Sequence, residues 1–221
     1  MVSSHSISPY RVFFYYPNII GYLRIILVMI CYYLAKSNWQ ISSIFYTVAF
    51  AGDLMDGYVA RKYNQSSSFG AALDMITDRC STSGILFVLS NLYTDYYFYF
   101  LSLMFLDILS HWLHIQSVAN KGHHKSAGSL KGRNRLIRLF YSSYPFFGYC
   151  NVFTEFFYIG LYLMHFNKAL SIFGLFQVNL KIFTFYICLP ACLCKQAVNV
   201  AQLCAAAYSM AEEDVANKQN K

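Results

Sequence analysis

Charge is what this chain has least of. Only 12% of its 221 residues are Asp, Glu, Lys or Arg, against 57% hydrophobic and 19% aromatic. A soluble domain carries about 25% charged residues, so this chain has too little solvating charge for a water-facing fold. A mean hydropathy of +0.38 agrees. A disulfide framework is missing too. The cysteines Cys31, Cys80, Cys150, Cys188, Cys192, Cys194 and Cys204 are odd in number and lie mostly in apolar runs, and Cys192 with Cys194 lacks the spacing of a zinc site. Inert buried thiols are expected. Internal repeats and low-complexity tracts are absent. No nucleic-acid-binding motif accompanies the net charge of +7, whose residues are scattered between apolar segments, so no nucleic-acid partner is expected. No small-residue cleavage site follows the first apolar run, which is therefore expected to stay as a span and not to leave as a signal peptide.

What the chain does have is one apolar stretch after another. Divided by the roughly 20 residues that a spanning helix needs, they predict an all-α integral membrane protein. It is a single domain over 1–221, a six-transmembrane-helix bundle with spans at 17–36, 39–61, 70–93, 96–118, 139–166 and 170–208. The polar tail from Glu212 to Lys221 is expected to fray. Arg61 and Lys62 follow the second span. Lys121, Lys125, Lys131, Arg133, Arg135 and Arg138 fall in the loop after the fourth, and Lys218 and Lys221 end the chain. The opposite loops show Lys36 and Lys168. That asymmetry places both termini in the cytosol by the positive-inside rule.

Four of the ten acidic residues, Asp53, Asp56, Asp74 and Asp78, fall within 26 residues. An unpaired carboxylate inside a span costs several kcal/mol, on the order of 3, so something must compensate them. On helices, Asp53 and Asp56 are i, i+3 and Asp74 and Asp78 are i, i+4, so each pair projects from one face. A short loop between the second and third spans brings the pairs together near the cytosolic side. Converging carboxylates repel one another unless a cation sits among them, and all-oxygen ligation favours Mg²⁺ or Mn²⁺ over zinc. Gly57, Ala60 and Gly70 remove bulk where a ligand must approach, and Arg61 adds positive charge, which together suit a phosphate or pyrophosphate. Two other readings use the same residues. In one, helix-end acids pair with Arg61, Lys62 and Arg79; in the other, the acids line the pathway of a cation transporter, which predicts acids spread through the membrane depth and repeat symmetry.

Asp53-x-x-Asp56-Gly57-x-x-Ala60-Arg61, then eight residues, then Gly70-x-x-x-Asp74-x-x-x-Asp78, resembles the complete motif of the CDP-alcohol phosphatidyltransferase family. The segments Pro17-Asn18-Ile19-Ile20-Gly21-Tyr22-Leu23-Arg24-Ile25 and Leu73-Asp74-Met75-Ile76-Thr77-Asp78-Arg79-Cys80-Ser81-Thr82, with Asn64-Gln65 and Phe69-Gly70-Ala71, are similar to its eukaryotic inositol-using branch. The resemblance implies a membrane enzyme that moves a phosphatidyl group from CDP-diacylglycerol to myo-inositol and releases CMP, with no covalent enzyme intermediate. It implies two Mg²⁺ or Mn²⁺ ions per site, one held by Asp53, Asp56 and Asp74 and the other by Asp53, Asp74 and Asp78. Asp78 would also be the base that takes the proton of the attacking hydroxyl. Gly57, Arg61, Ser67, Ala60, Gly70 and Asn18 would bind the CDP-diacylglycerol. The implied place is the endoplasmic reticulum membrane, multi-pass, with the site facing the cytosol, and a homodimer is compatible with it. Other members of the family take glycerol phosphate, serine or an amino alcohol, so those acceptors remain alternatives.

The remaining polar residues in the spans carry two readings each. Asn18 and Arg24 reach the nucleotide or its phosphates, or serve as helix cap and snorkelling cation. Asp107, Ser110, His111 and His114 shape a polar acceptor pocket, or form an internal hydrogen-bond network that links helices. The basic loop from Lys121 to Arg138 binds acidic head groups, or simply sets topology.

Overall fold

The computed structural model of the protein describes residues 8–121, 142–166, 170–172 and 176–219. They form helices α1 (Pro9–Phe13), α2 (Tyr16–Leu34), α3 (Trp39–Lys62) and α4 (Ser68–Leu92), a 3-10 turn at Thr94–Tyr96, then α5 (Tyr97–Lys121) and α6 (Tyr144–His165). An antiparallel pair, β1 (Leu170–Ile172) and β2 (Phe176–Val178), precedes the long helix α7 (Leu180–Gln219). The protein is an all-α, multi-pass membrane protein. Tyr16–Leu34, Thr94–Val118 and Leu180–Gln219 are each long and apolar enough to cross a bilayer. The other three predicted spans are helices of 24, 25 and 22 residues. Their average hydropathy is lower because α3 and α4 carry the four aspartates, and α6 holds Asn151, Thr154, Glu155 and several tyrosines.

Several boundaries depart from expectation, each for a local reason. The sixth span does not start at 170: Leu170 pairs with Val178 and Ile172 with Phe176 as antiparallel strands. α7 begins at Leu180 because the Asn179 side chain accepts the Ile182 N–H as an N-cap. It then continues to Gln219 instead of fraying from Glu212, since this tail is built largely of good helix formers. Pro145 does not break the fifth helix but lies in its first turn, where its missing N–H is harmless. α5 runs on to Lys121. Residues 139–141 of the fifth span and positions 122–138 of the basic loop lie outside the described residues.

The described residues divide into two compact units, Met1–Val88 and Leu89–Lys221. In the first, spacings of four and three put Pro17, Gly21, Arg24, Val28 and Cys31 on one buried face of α2. Ile19, Leu23, Ile26, Ile30 and Tyr33 are exposed on the other, as lipid contact requires. Ser42 of α3 donates to the Cys31 carbonyl at 3.0 Å. Gly84 of α4 lies against the Tyr32 ring, whose hydroxyl donates to the Ser81 carbonyl. A Cβ at Gly84 would stand 2.1 Å from that ring. Gly84→Ala is therefore expected to cost about 1–3 kcal/mol through overpacking, seen as earlier thermal unfolding of the purified protein; an unchanged midpoint would mean the contact yields freely.

In the second unit, Tyr158 and Tyr162 of α6 are almost wholly buried. Several polar groups here are paired within the protein, as a bilayer demands. Tyr93 donates to the Leu161 carbonyl at 2.8 Å, Tyr149 donates to that of Ile187 at 2.7 Å, and Lys195 donates to Asn151. All seven cysteines are free thiols. Cys31, Cys150, Cys188 and Cys192 are buried as expected, while Cys80, Cys194 and Cys204 are exposed because they fall on outward faces of α4 and α7.

Candidate active site

The site is built where α3 ends and α4 begins. α3 closes on Asn64, which takes a positive φ of 52°, a conformation that asparagine tolerates well. The Gln65 N–H then reaches back to the Ala60 carbonyl at 2.9 Å and the Asn64 N–H to that of Arg61 at 3.3 Å. This paired helix cap satisfies two carbonyls at the end of α3. Ser67 caps the start of α4, its Oγ accepting the Gly70 N–H at 3.0 Å. The hydroxyl proton of Ser67 remains a donor, beside the N-terminus of a 25-residue helix, an environment that favours anions.

The beginning of the chain is tied to this loop. The Tyr16 N–H donates to Gln65 Oε1 at 2.8 Å, and Phe13 and Tyr16 make edge-on ring contacts with Phe69 and Tyr63. Asn18 is 1% exposed, and its amide donates to the Val12 carbonyl. Its Oδ1 faces Gly70, where a Cβ would come within 2.8 Å of it. Between these elements lies a cavity of about 220 Å³. Asn18, Gly57, Ala60, Arg61, Ser67 and Gly70 all line it, as do Asp56 and Asp74. Every residue that the resemblance suggests for a CDP-linked lipid thus lines one space, together with two of the four acids.

Asp53, Asp56 and Asp74 each present a carboxylate oxygen within 4.8 Å of the others. Asp78 stands outside that trio. The cation among the four acids is Arg24 of α2, which the sequence suggests only as a snorkelling side chain or a nucleotide contact. Its Nη1 donates to Asp56 Oδ2 at 2.7 Å and to Asp74 Oδ1 at 2.9 Å. Its Nη2 donates to Asp78 Oδ1 at 2.6 Å and lies 2.7 Å from Asp53 Oδ1. Among the described residues, Arg79 adds a looser contact at 3.9 Å to Asp78 Oδ2, while Arg61 lies instead along the cavity, near Gly57. The available hint was an arginine in the middle of an apolar run, which is expensive unless it is partnered.

Arg24, with the looser Arg79, leaves the four acids outnumbering the cations that touch them. Hard oxygen donors at this density suit a divalent cation of the Mg²⁺ or Mn²⁺ kind, so the residues fit one. Other polar residues are committed locally. Thr77 donates to the Leu73 carbonyl at 2.8 Å. On α5, Ser110 donates to the Asp107 carbonyl at 3.1 Å, and His111 Nδ1 lies 2.8 Å from the same oxygen. These α5 contacts run along their own helix and do not themselves link α5 to another helix.

Membrane helices that carry a carboxylate cluster beside a cavity of about 220 Å³ point to a class of enzyme, and comparison with known proteins gives the class its name. The chain matches the CDP-alcohol phosphatidyltransferase family model over residues 14–211, and it belongs to that family. Family members use divalent metal ions, for which the acidic cluster is present. Within the family it is similar to proteins of one description. It is 38% identical over 215 residues to the CDP-diacylglycerol–inositol 3-phosphatidyltransferase of Saccharomyces cerevisiae, covering 96% of this chain and 93% of that protein. It is 38% identical over 215 residues to CDP-diacylglycerol–inositol 3-phosphatidyltransferase 1 of Arabidopsis thaliana, covering 94% and 93%. To the Homo sapiens protein of the same description it is 36% identical over 213 residues, covering 96% and 98%. No solved structure matches the chain significantly.

Proposed function

We propose that this chain transfers the phosphatidyl group of CDP-diacylglycerol to myo-inositol, giving phosphatidylinositol and CMP. The observation that carries this reading is the convergence of the eight motif positions on one cavity and one carboxylate cluster. The similarity to the yeast, plant and human inositol phosphatidyltransferases supports the acceptor. The family match runs across both compact units, which supports one functional domain over 1–221 with six spans. The eukaryotic relatives and the clustering of Lys and Arg in alternate loops support an endoplasmic reticulum membrane protein with its site facing the cytosol.

Asp53, Asp56 and Asp74 would hold one divalent ion, and Asp53, Asp74 and Asp78 a second. When bound, such ions neutralise the pyrophosphate and stabilise charge on the departing CMP. Arg61 and the Ser67 hydroxyl bind phosphate oxygens from the cavity wall, while Gly57, Ala60 and Gly70 keep that wall low enough for the nucleotide to approach. Asp78, outside the carboxylate trio and bonded to Arg24 through Oδ1, takes the proton from an inositol hydroxyl. The hydroxyl oxygen then bonds to the phosphorus that carries diacylglycerol, and the bond from that phosphorus to the CMP oxygen breaks.

Purified protein given saturating CDP-diacylglycerol and equal concentrations of labelled myo-inositol, serine and glycerol phosphate is expected to put the label chiefly into phosphatidylinositol. A neutral polyol asks for hydrogen-bonding groups, whereas the charged acceptors ask for dedicated counter-charges. Label going chiefly into either competitor would replace the acceptor and leave the family standing.

A further inference from the structure

The Arg24 guanidinium is buried in the middle of the site, yet neither binding nor proton transfer as described above uses it. Burying a charge inside a bilayer-spanning bundle is costly unless it is paired, and here one cation is shared by four acids. The sharing has a pattern. Nη1 joins Asp56 of α3 to Asp74 of α4, and Nη2 joins Asp53 of α3 to Asp78 of α4. Each nitrogen therefore ties the two acid-bearing helices together. Short charge-assisted bonds of this kind are among the strongest that side chains make.

We infer that Arg24 is a resident counter-cation that competes with divalent metal for the aspartate oxygens, holding the acids of α3 and α4 together until metal displaces its guanidinium. The inference rests on the metal reading given above. The oxygens of Asp53, Asp56 and Asp74 that face Arg24 belong to the carboxylates that come close enough to one another to share an ion. A guanidinium and a divalent ion cannot both sit against those oxygens without like-charge repulsion. Arg24 is also held less completely than its carboxylate bonds suggest. Its Nε is buried with no hydrogen-bond partner, which leaves part of the group unsatisfied in this position. Its stem passes Gly52 of α3, where a Cβ would stand 2.9 Å from Arg24 Cγ. The absence of a side chain at Gly52 therefore sets the path of the arginine.

Full-length protein purified in detergent and stripped of metal tests this without any substrate. Mn²⁺ affinity is read by electron paramagnetic resonance, and thermal unfolding is followed in chelator and at saturating Mn²⁺. Arg24→Gln is expected to bind Mn²⁺ at least about tenfold more tightly than the parent, because a competing charge is gone. It should unfold earlier in chelator, with the gap closing when Mn²⁺ saturates. Gly52→Ala, which displaces the stem while keeping the charge, should shift both readouts the same way by less, and it serves alone if Arg24→Gln does not fold. Mn²⁺ affinity unchanged or weakened in the variants, or a stability deficit that persists at saturation, overturns the inference. If no protein binds Mn²⁺ at all, the metal reading itself falls and this inference with it, whereas equal binding by parent and variants overturns the inference alone.

Discussion

Asp78→Asn is expected to reduce turnover by about three orders of magnitude while leaving the protein folded and inserted. The substitution keeps the shape of the side chain but removes its ability to accept a proton, and a positioned general base contributes on the order of 10²–10⁴ in rate. It also removes one negative charge from the proposed second ion site. Folding should survive because Asp78 is one of four acids on Arg24 and is partly exposed, with 31% of its side-chain surface accessible. The check is a single-turnover assay with CDP-diacylglycerol and labelled inositol at saturating Mg²⁺, paired with thermal unfolding of the same preparation. Retention of most of the parent rate would move the base to another group.

The contrast between Asp78 and Arg24 shows what a sequence can carry. Asp53 and Asp56, or Asp74 and Asp78, are neighbours by helix geometry alone, and the few residues between α3 and α4 bring the two pairs into one place. Those features were legible because each depends on residues a few positions apart. The caps are as local, Asn64-Gln65 closing α3 and Ser67 starting α4, but in the sequence these positions read only as a connecting loop and, for Ser67, a lipid contact. Arg24 lies 54 residues from its Asp78 partner, and no periodicity links them. Its burial follows from the packing of α2 on α3, a tertiary fact. Gly52 was silent for the same reason, since its meaning is a side chain arriving from another helix. The sixth span fails differently. Leu170 to Leu193 contains apolar residues that suit either strand or helix, and the decision falls to a cap at Asn179 and a strand pairing that hydropathy does not encode.

Removal of divalent cations is expected to abolish turnover completely and reversibly. Four carboxylates held by Arg24 and, more loosely, Arg79 still repel the pyrophosphate of an incoming CDP-lipid, and Arg61 on the cavity wall is too little positive charge to offset them. Without added positive charge, the cavity next to Asp56 and Asp74 is electrostatically hostile to the substrate that its glycines admit. Partial depletion in chelator-buffered metal should therefore raise the apparent KM for CDP-diacylglycerol as well as lower kcat, and returning Mg²⁺ or Mn²⁺ after full depletion should restore both. The fold should persist through the cycle, because Arg24 keeps the acids of α3 and α4 paired when metal is absent. Loss of activity through unfolding would be irreversible and visible in the thermal midpoint, so the two causes separate in one experiment. Full activity after exhaustive chelation would mean that the aspartates act without metal, and the assignment of Asp53, Asp56 and Asp74 as ligands would have to be abandoned.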